Sequence, residues 1–400
     1  MTAPARTSAA DDVAAAPAGS TALNRLLPNR SIRLAAVGAV VVTVLLPFLW
    51  SSETFWFTVL ANALIFATAA VGLSLLTGYA GQVSLGHAAF LATGGYVAAY
   101  FGSELGWPMP YWMLLAAVVG GLVGAVVGPF ALRFKGNYLV VVTLAVIFVS
   151  VHVFQNWDGF TGGNSGRSAG SLRLDVVTVG DTAVLDFKNL SVFGHELNQQ
   201  QGLFWLSAIV LAGVLVVARN IVRTRPGRAL QAIRDRDVAA EVIGVHTARY
   251  KIAVFALSSA IASLAGGLYA ASVRFLSPGD PASQLFLSIR FVAIIIIGGL
   301  GTLYGAVVGA LILGSLPEIL KEYADKLAFD IPIWGKPLVK ETATSDGLFS
   351  TAVLSEIVFG LLLVGFLVLQ PRGVAGMIDW ARTRLGRILG ARGGETDVQD

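Results

Sequence analysis

The chain has 400 residues, 55% of them hydrophobic and 13% charged, with a mean hydropathy of +0.73. A soluble domain carries roughly a quarter charged residues, so most of this chain is built for lipid and an ordinary soluble enzyme is excluded. No cysteine is present, which rules out disulfides, thiolate metal sites and thiol nucleophiles.

Residues 1–31 are rich in Ala, Ser, Thr and Pro and lack the apolar core of a signal peptide, which predicts a disordered cytoplasmic N-terminal tail. Apolar stretches follow at Ile32–Trp50, Trp56–Leu76, Ala88–Phe101, Trp112–Leu132 and Tyr138–Phe154, then at Leu203–Ala218, Ile252–Ser272, Leu285–Ile297, Tyr304–Leu316 and Leu348–Leu369. Several approach the ~20 residues that cross hydrocarbon, giving about ten crossings. The expected fold is all-α: a polytopic membrane helical bundle of about ten transmembrane segments, with Gly-broken helices and a small outer-loop β-hairpin. The transmembrane permease domain is then 32–376. It carries an outer loop 156–202, a cytoplasmic loop 220–250 and an outer segment 317–347, and is followed by a cytoplasmic tail 377–400.

Orientation follows from the basic residues, which concentrate in cytoplasmic loops. With the N-terminus inside, nineteen Lys and Arg fall on the inner side and eight on the outer, with Arg290 inside a span. The bias predicts cytoplasmic N- and C-termini. It also accounts for part of the basic pI near 9.4 through topology and attraction to membrane lipid, so nucleic acid is not an expected partner. In the outer loop, Val176–Val179 and Thr182–Leu185 flank Gly180-Asp181 and predict a short hairpin that serves as structural cover or, in the alternative reading, docks a receptor.

Two segments break apolar regions with glycine. Gly78-Tyr79-Ala80-Gly81-Gln82-Val83-Ser84-Leu85-Gly86-His87 interrupts the first, and Gly298-Gly299-Leu300-Gly301-Thr302-Leu303-Tyr304-Gly305 the second. Paired breaks in the two halves of a chain point to a transporter's pathway, because unwound helix ends present backbone groups to solute. The alternative is that these glycines serve close helix packing and tight turns. The expected translocation-pathway residues are Gly78, Gly81, Gln82, Ser84, His87, Gly298, Gly299 and Gly301. His87 has no acidic partner nearby in sequence and is read as a hydrogen-bonded structural group rather than a proton relay. Arg290 should face the bundle, pair with a carbonyl or carboxylate, or snorkel to a boundary.

The cytoplasmic stretch Arg223–Lys251 differs from a plain solvated loop. Pro226 suits a first helical turn, Leu230 and Ile233 form an apolar face, Asp237 is an expected N-cap for a second short helix ending before Gly244, and Val238 and Val242 are the apolar residues on that second helix. Two short amphipathic helices of this kind suit docking into a partner's groove.

At these residues the sequence resembles the membrane permease subunits of branched-chain amino-acid ABC importers, in particular the M-type of their two homologous permeases. Thr77–Phe90 resembles that family's first signature. Arg133–Leu139 with Thr143-Leu144, Thr161–Gly166, Ser288–Phe291 with the Gly298–Gly305 run, and Gln370–Gly373 follow in the family's order. Gly227, Arg228, Ala229, Leu230, Ile233, Arg234 and Asp235, continuing to Ala239, Ala240, Glu241 and Gly244, resemble the loop that couples such permeases to their ATPases. The long segments Gly170–Gly202 and Lys321–Gly347 depart from the pattern.

The resemblance implies a subunit of the bacterial inner membrane that is not an enzyme and binds no cofactor or metal. ATP is then hydrolysed by two cytoplasmic ATPase subunits, an extracytoplasmic receptor delivers the solute, and a second, homologous permease completes a heterodimer. Relatives in the same family carry urea or short-chain amides instead. The sequence itself has no Gly-rich loop ending in Gly-Lys-Ser or Gly-Lys-Thr to cradle ATP phosphates. Two other classes fit less well. An ion-coupled secondary transporter needs intramembrane carboxylates, which are scarce here, and a membrane-embedded enzyme needs an acid/base pair or metal cluster that four dispersed histidines do not supply.

Overall fold

The computed structural model describes residues 54–132, 138–170, 172, 174–179, 182–187, 191–192, 195–196, 198–279, 281–323, 330–331, 336–337, 339–340, 349–369, 373–374 and 376–377. The first expected span, Ile32–Trp50, both tails, the basic turn at 133–137 and Gln370–Arg372 lie outside the described residues.

Helix α1 (Thr54–Leu73) runs into a π-helical turn, Ser74–Tyr79. After the first glycine break, α2 (His87–Ala98) runs into a second π-helical turn, Ala99–Glu104. Next come α3 (Met109–Leu132), α4 (Tyr138–Asn156) and the single turn α5 (Asp158–Thr161). Short strands β1 (Arg167–Ser168), β2 (Asp175–Val179), β3 (Thr182–Asp186), β4 (Ser191–Val192) and β5 (His195–Glu196) fill the outer loop. Helices α6 (Gln199–Arg223), α7 (Arg225–Asp235), α8 (Asp237–Val242) and α9 (Thr247–Val273) follow, then β6 (Phe275–Leu276). The chain continues through α10 (Pro281–Gly298), α11 (Leu303–Leu313), α12 (Leu316–Glu322) and, after further two-residue strands, α13 (Thr351–Leu369).

Among the described residues each expected span is largely helical, with a turn at Gly314-Ser315 and a two-residue strand at Phe349–Ser350 before the last helix. Six helical stretches are long and apolar enough to cross a membrane, the last being the α11–α12 run, while α10 and α13 contribute shorter apolar helices. Helix α1 is apolar all round and buried nearly all round, which is the signature of a bundle's central helix. It packs against α6, α9, α10 and α11. Helix α3 shows the other solution. Trp112 and Ala116 are buried and Gly120 and Gly124 face Ser263 and Ser259 of α9, while Leu114, Val118, Leu122, Val126 and Phe130, four residues apart, form an exposed apolar stripe. A face that is apolar and outward suits hydrocarbon or a second membrane subunit.

Helices α2 and α9 approach so closely that a Cβ at Gly94 would lie 1.8 Å from the Ser263 carbonyl oxygen. Small residues at such a crossing let backbones touch where lipid offers no hydrophobic drive. Ser263 Oγ donates across it to the Phe90 carbonyl at 2.6 Å. Near the strand-bearing end, Ser272 Oγ donates to Asn62 Oδ1, also at 2.6 Å, so hydroxyls cross-link helices that are otherwise apolar.

At the strand-bearing end, β1 pairs antiparallel with β6. Arg167 pairs with Glu104 and sits 5.0 Å from the centre of the Tyr100 ring. The expected hairpin is present as β2 and β3, closed by the pair Val179 and Thr182 with a bulge in its register. Leu172, Leu174 and Phe187 around it are buried, so part of the long insertion folds back onto the bundle. One local expectation is corrected: Asp237 is the first residue of α8 and Arg236 is its cap. The Asp237 carboxylate accepts instead from Lys251 Nζ, tying α8 to the start of α9.

Candidate functional site

The two glycine breaks and the α7–α8 helix pair meet at one end of the bundle. The π-helical turn after α1 leaves the regular hydrogen-bond ladder, and such turns recur at functional positions. Beyond it the chain turns at Gly81, whose φ is +69°. The Gln82 amide reaches back to the Leu76 carbonyl at 3.1 Å, and Thr77 Oγ1 donates to the Gln82 carbonyl at 3.0 Å. The break is therefore a fixed, hydrogen-bonded segment. Gln82 is buried, and its side-chain Oε1 has no hydrogen-bond partner among the described residues.

Restarting a helix inside a bundle leaves amide groups without intrahelical partners. Three hydroxyls supply acceptors here. Gly86 N donates to Ser84 Oγ at 3.3 Å, Leu85 N to Thr143 Oγ1 of α4 at 3.0 Å, and Ala88 N to Ser288 Oγ of α10 at 3.0 Å. His87 is buried; its Nε2 lies 2.9 Å from the Ala69 carbonyl, and its ring stands edge-on to Phe291. A carbonyl only accepts, so Nε2 carries the proton. His87 thus bridges α1 and α2.

The second break is a tight turn between α10 and α11. Gly299 and Gly301 have φ of +114° and +79°, and Thr302 Oγ1 donates to the Gly299 carbonyl at 2.8 Å. A Cβ at Gly298 would lie 2.0 Å from the Gly305 carbonyl, so Gly298 and Gly305 close the helix pair. Gly301 does more: a Cβ on Gly78 would sit 2.6 Å from Gly301 N. The first break thus rests directly on the second, and Ser74 Oγ lies 3.4 Å from the Thr302 carbonyl. Gly373, with φ +67°, abuts this turn from the far end of the chain, since its Cβ would lie 2.7 Å from Gly299 N.

The α7–α8 pair packs onto this seam. A Cβ at Gly227 would strike the Val222 carbonyl at 2.1 Å, so glycine permits the sharp corner from α6 into α7. Pro226 stands in the first turn of α7 as its fixed φ favours. Leu230 is 2% and Ile233 4% exposed; α7 turns them inward, against a surround of α6, α8, α9 and the π-helical turn. Of the four apolar residues expected on this pair, Leu230 and Ile233 are therefore used inside the subunit, whereas Val238 and Val242 are not. The apolar residues left outward are Val238 at 71%, Val242 at 83% and Ile243 at 74% exposed. Arg228, Asp235 and Ala239 are exposed and Ala229 half-buried, while Ala240 is buried beneath α8. Glu241 Oε1 accepts from Thr247 Oγ1 at 2.6 Å, and Gly244, with φ +87°, ends the motif.

Arg234 was expected in the coupling loop, but its long-range contact was not. Its Nη1 donates to the Gly78 carbonyl at 2.6 Å across 156 residues of chain. Thr143, Ser288 and Gly373, which hold the two breaks, were not singled out as site residues; hydroxyl or glycine identity alone does not reveal a long-range partner. Arg290 lies 5.9 Å from the centre of the Phe359 ring of α13, with Tyr269, Glu318 and Glu356 near enough to interact with its charge. No group of three or more His, Asp or Glu suited to a metal occurs among the described residues.

An apolar helical bundle with two broken helices at one end, capped there by a short amphipathic helix pair, defines a multi-pass membrane permease subunit. A family profile described as branched-chain amino acid transport system / permease component matches residues 55–367, and the chain belongs to that family. It is 29% identical over 73% of its length to the high-affinity branched-chain amino acid transport system permease protein LivM of Escherichia coli K12, covering 69% of that protein. It is 24% identical to LivH of the same strain over 67% of this chain and 87% of the relative. The autoinducer 2 import system permease protein LsrC of Enterobacter sp. strain 638 is 25% identical over 67% of this chain and 65% of its own length. No solved structure matches the chain significantly.

Proposed function

We propose that the chain is one of two membrane subunits of an ABC importer for branched-chain amino acids, in which ATP is hydrolysed by separate cytoplasmic subunits. The observation that carries this reading is the α7–α8 pair. It is seated on the two helix breaks and leaves Val238, Val242 and Ile243 outward, an apolar face without a covering element among the described residues. Such a face suits a helix-in-groove partner. A motor that grips it can act on the breaks behind it.

In this reading the α7–α8 end is cytoplasmic, as the basic bias of the loops favours, and both termini lie on that side of a bacterial inner membrane. The outer end, with the β1–β6 pair and the β2–β3 hairpin, faces a solute receptor. The exposed stripe of α3 offers apolar surface for lipid or for the homologous second permease. The seam at Gly78, Gly81, Gln82, Ser84 and Gly301 belongs to the moving part of the pathway. The names of the LivM and LivH relatives support leucine, isoleucine and valine as cargo.

The test is to purify the tagged chain from its native membranes in mild detergent and identify what accompanies it. Two ATPase subunits and a second permease are expected, together with retention of leucine but not urea by the associated receptor. A chain that purifies alone from membranes containing all those subunits contradicts the proposal.

A further inference from the structure

We propose that Arg234 is the positioning residue through which movement of the α7–α8 pair reaches the two helix breaks, so that its guanidinium transmits the power stroke rather than holding the motor. The inference rests on the importer reading above and names how that same site works.

The geometry has three parts. First, Arg234 is fixed at its own end. It stands in the last turn of α7, one residue beyond Ile233, and α7 is anchored inside the subunit by Leu230 and Ile233. Its side chain therefore moves with α7 as a body.

Second, its far end holds a carbonyl released by the break. Gly78 lies in the π-helical turn just before the chain leaves helical geometry, where carbonyls lose their intrahelical donors. Arg234 Nη1 supplies one at 2.6 Å. A charged donor on a neutral carbonyl makes a hydrogen bond stronger than one between neutral groups, and the fork of a guanidinium keeps its direction where a lysine ammonium would not.

Third, the side chain lies against both breaks, while the residue keeps an exposed side. A Cβ on Gly81 would lie 3.2 Å from Arg234 Cγ, one on Gly301 would lie 3.0 Å from Arg234 Nη1, and one on Gly78 would lie 2.6 Å from Gly301 N. Two glycines from distant segments, Gly81 and Gly301, thus leave room for the arginine, and Gly78 leaves room for Gly301. Gly373 presses on the same turn from behind, against Gly299. A displacement of α7 carries the Arg234 side chain with it. It pulls the Gly78 carbonyl and with it the contact between Gly78 and Gly301.

The exposed residues that suit the motor lie on α8 and at its end, so contact with the motor and transmission to the breaks are assigned to different side chains. That separation makes the inference testable. The complete complex is purified with wild-type chain, Arg234→Ala, Arg234→Lys and Gly301→Ala, and reconstituted in proteoliposomes with receptor and radiolabelled leucine. Assembly, ATP hydrolysis and uptake are measured on each preparation.

Arg234→Ala is expected to keep its ATPase subunits and hydrolyse ATP at a rate near wild type, while leucine moved per ATP falls by about tenfold or more, the factor that corresponds to losing one charge-assisted hydrogen bond. Arg234→Lys retains the charge without the fork and should recover part of the ratio. Gly301→Ala leaves the arginine in place but crowds its Nη1, and should lower the same ratio. An unchanged leucine-to-ATP ratio in Arg234→Ala overturns the inference, as does a loss of uptake that only follows the loss of assembled complex. A wild-type chain that brings down no ATPase overturns the importer reading itself, and the two failures are told apart by that control.

Discussion

Placing an aspartate at position 233 or at position 238 of the α7–α8 pair should produce two different defects. Ile233 is almost wholly buried within the subunit, so Ile233→Asp forfeits about 2 kcal/mol of apolar burial and buries a carboxylate, at a cost of several kcal/mol more. The sum exceeds about 4 kcal/mol, the range in which single changes unfold their surroundings. The purified subunit should lose thermal stability in detergent and accumulate poorly. Val238 is mostly exposed in the first turn of α8. A carboxylate there meets the positive end of the helix dipole, and surface changes of this kind stay within about 0.5 kcal/mol. If Val238 is a docking anchor, removing it and adding a charge costs about 2 kcal/mol of association, or roughly a thirtyfold loss of affinity. Val238→Asp should therefore melt like wild type and fail to retain the ATPase in a titrated pull-down. A stable Ile233→Asp subunit that loses the ATPase, beside a Val238→Asp subunit that keeps it, would refute this division of roles.

Gly94→Ala should destabilise the bundle by about 1–3 kcal/mol, since α2 and α9 must separate to admit the methyl group; a lower detergent melting temperature checks it. His87→Gln keeps a donor for the Ala69 carbonyl and should lower thermal stability less than His87→Ala, which leaves that buried acceptor unpaired at about 1–3 kcal/mol. Reporter fusions after Arg225 and Arg372 should read as cytoplasmic and one after Ser171 as external; a cytoplasmic signal at Ser171 would reverse the assigned orientation.

Much of the bundle is legible in the sequence because lipid imposes a length and an apolarity on each crossing. The stretch read at Trp112–Leu132 forms the helix Met109–Leu132, and that read at Tyr138–Phe154 forms Tyr138–Asn156. Where helices run beyond the apolar window the reading falls short. Helix α6 begins at Gln199 and ends at Arg223, four and five residues outside the stretch Leu203–Ala218, because its polar ends project from the apolar layer. The breaks were visible as glycine runs, but a glycine does not say whether it serves a turn, a crossing or a pathway. The structure divides them. Gly298 and Gly305 close a helix pair, whereas Gly78 and Gly301 face each other.

The α7–α8 pair was visible as two amphipathic helices. Which side of it faces outward was not, because periodicity defines an apolar face without naming what covers it. Leu230 and Ile233 satisfy that periodicity from inside the subunit. The bond from Arg234 to Gly78 lies furthest from what sequence reveals, since it joins a charged residue in a polar loop to a backbone atom in an apolar helix.

The central claim, that separate ATPases drive leucine through this subunit, is tested most directly by uptake in proteoliposomes holding the purified complex and its receptor. Accumulation of labelled leucine should require ATP on the ATPase side and stop when the ATPase subunits are left out. Uptake that continues without them, driven by an imposed proton or sodium gradient, would contradict the account and identify the chain as an ion-coupled secondary transporter.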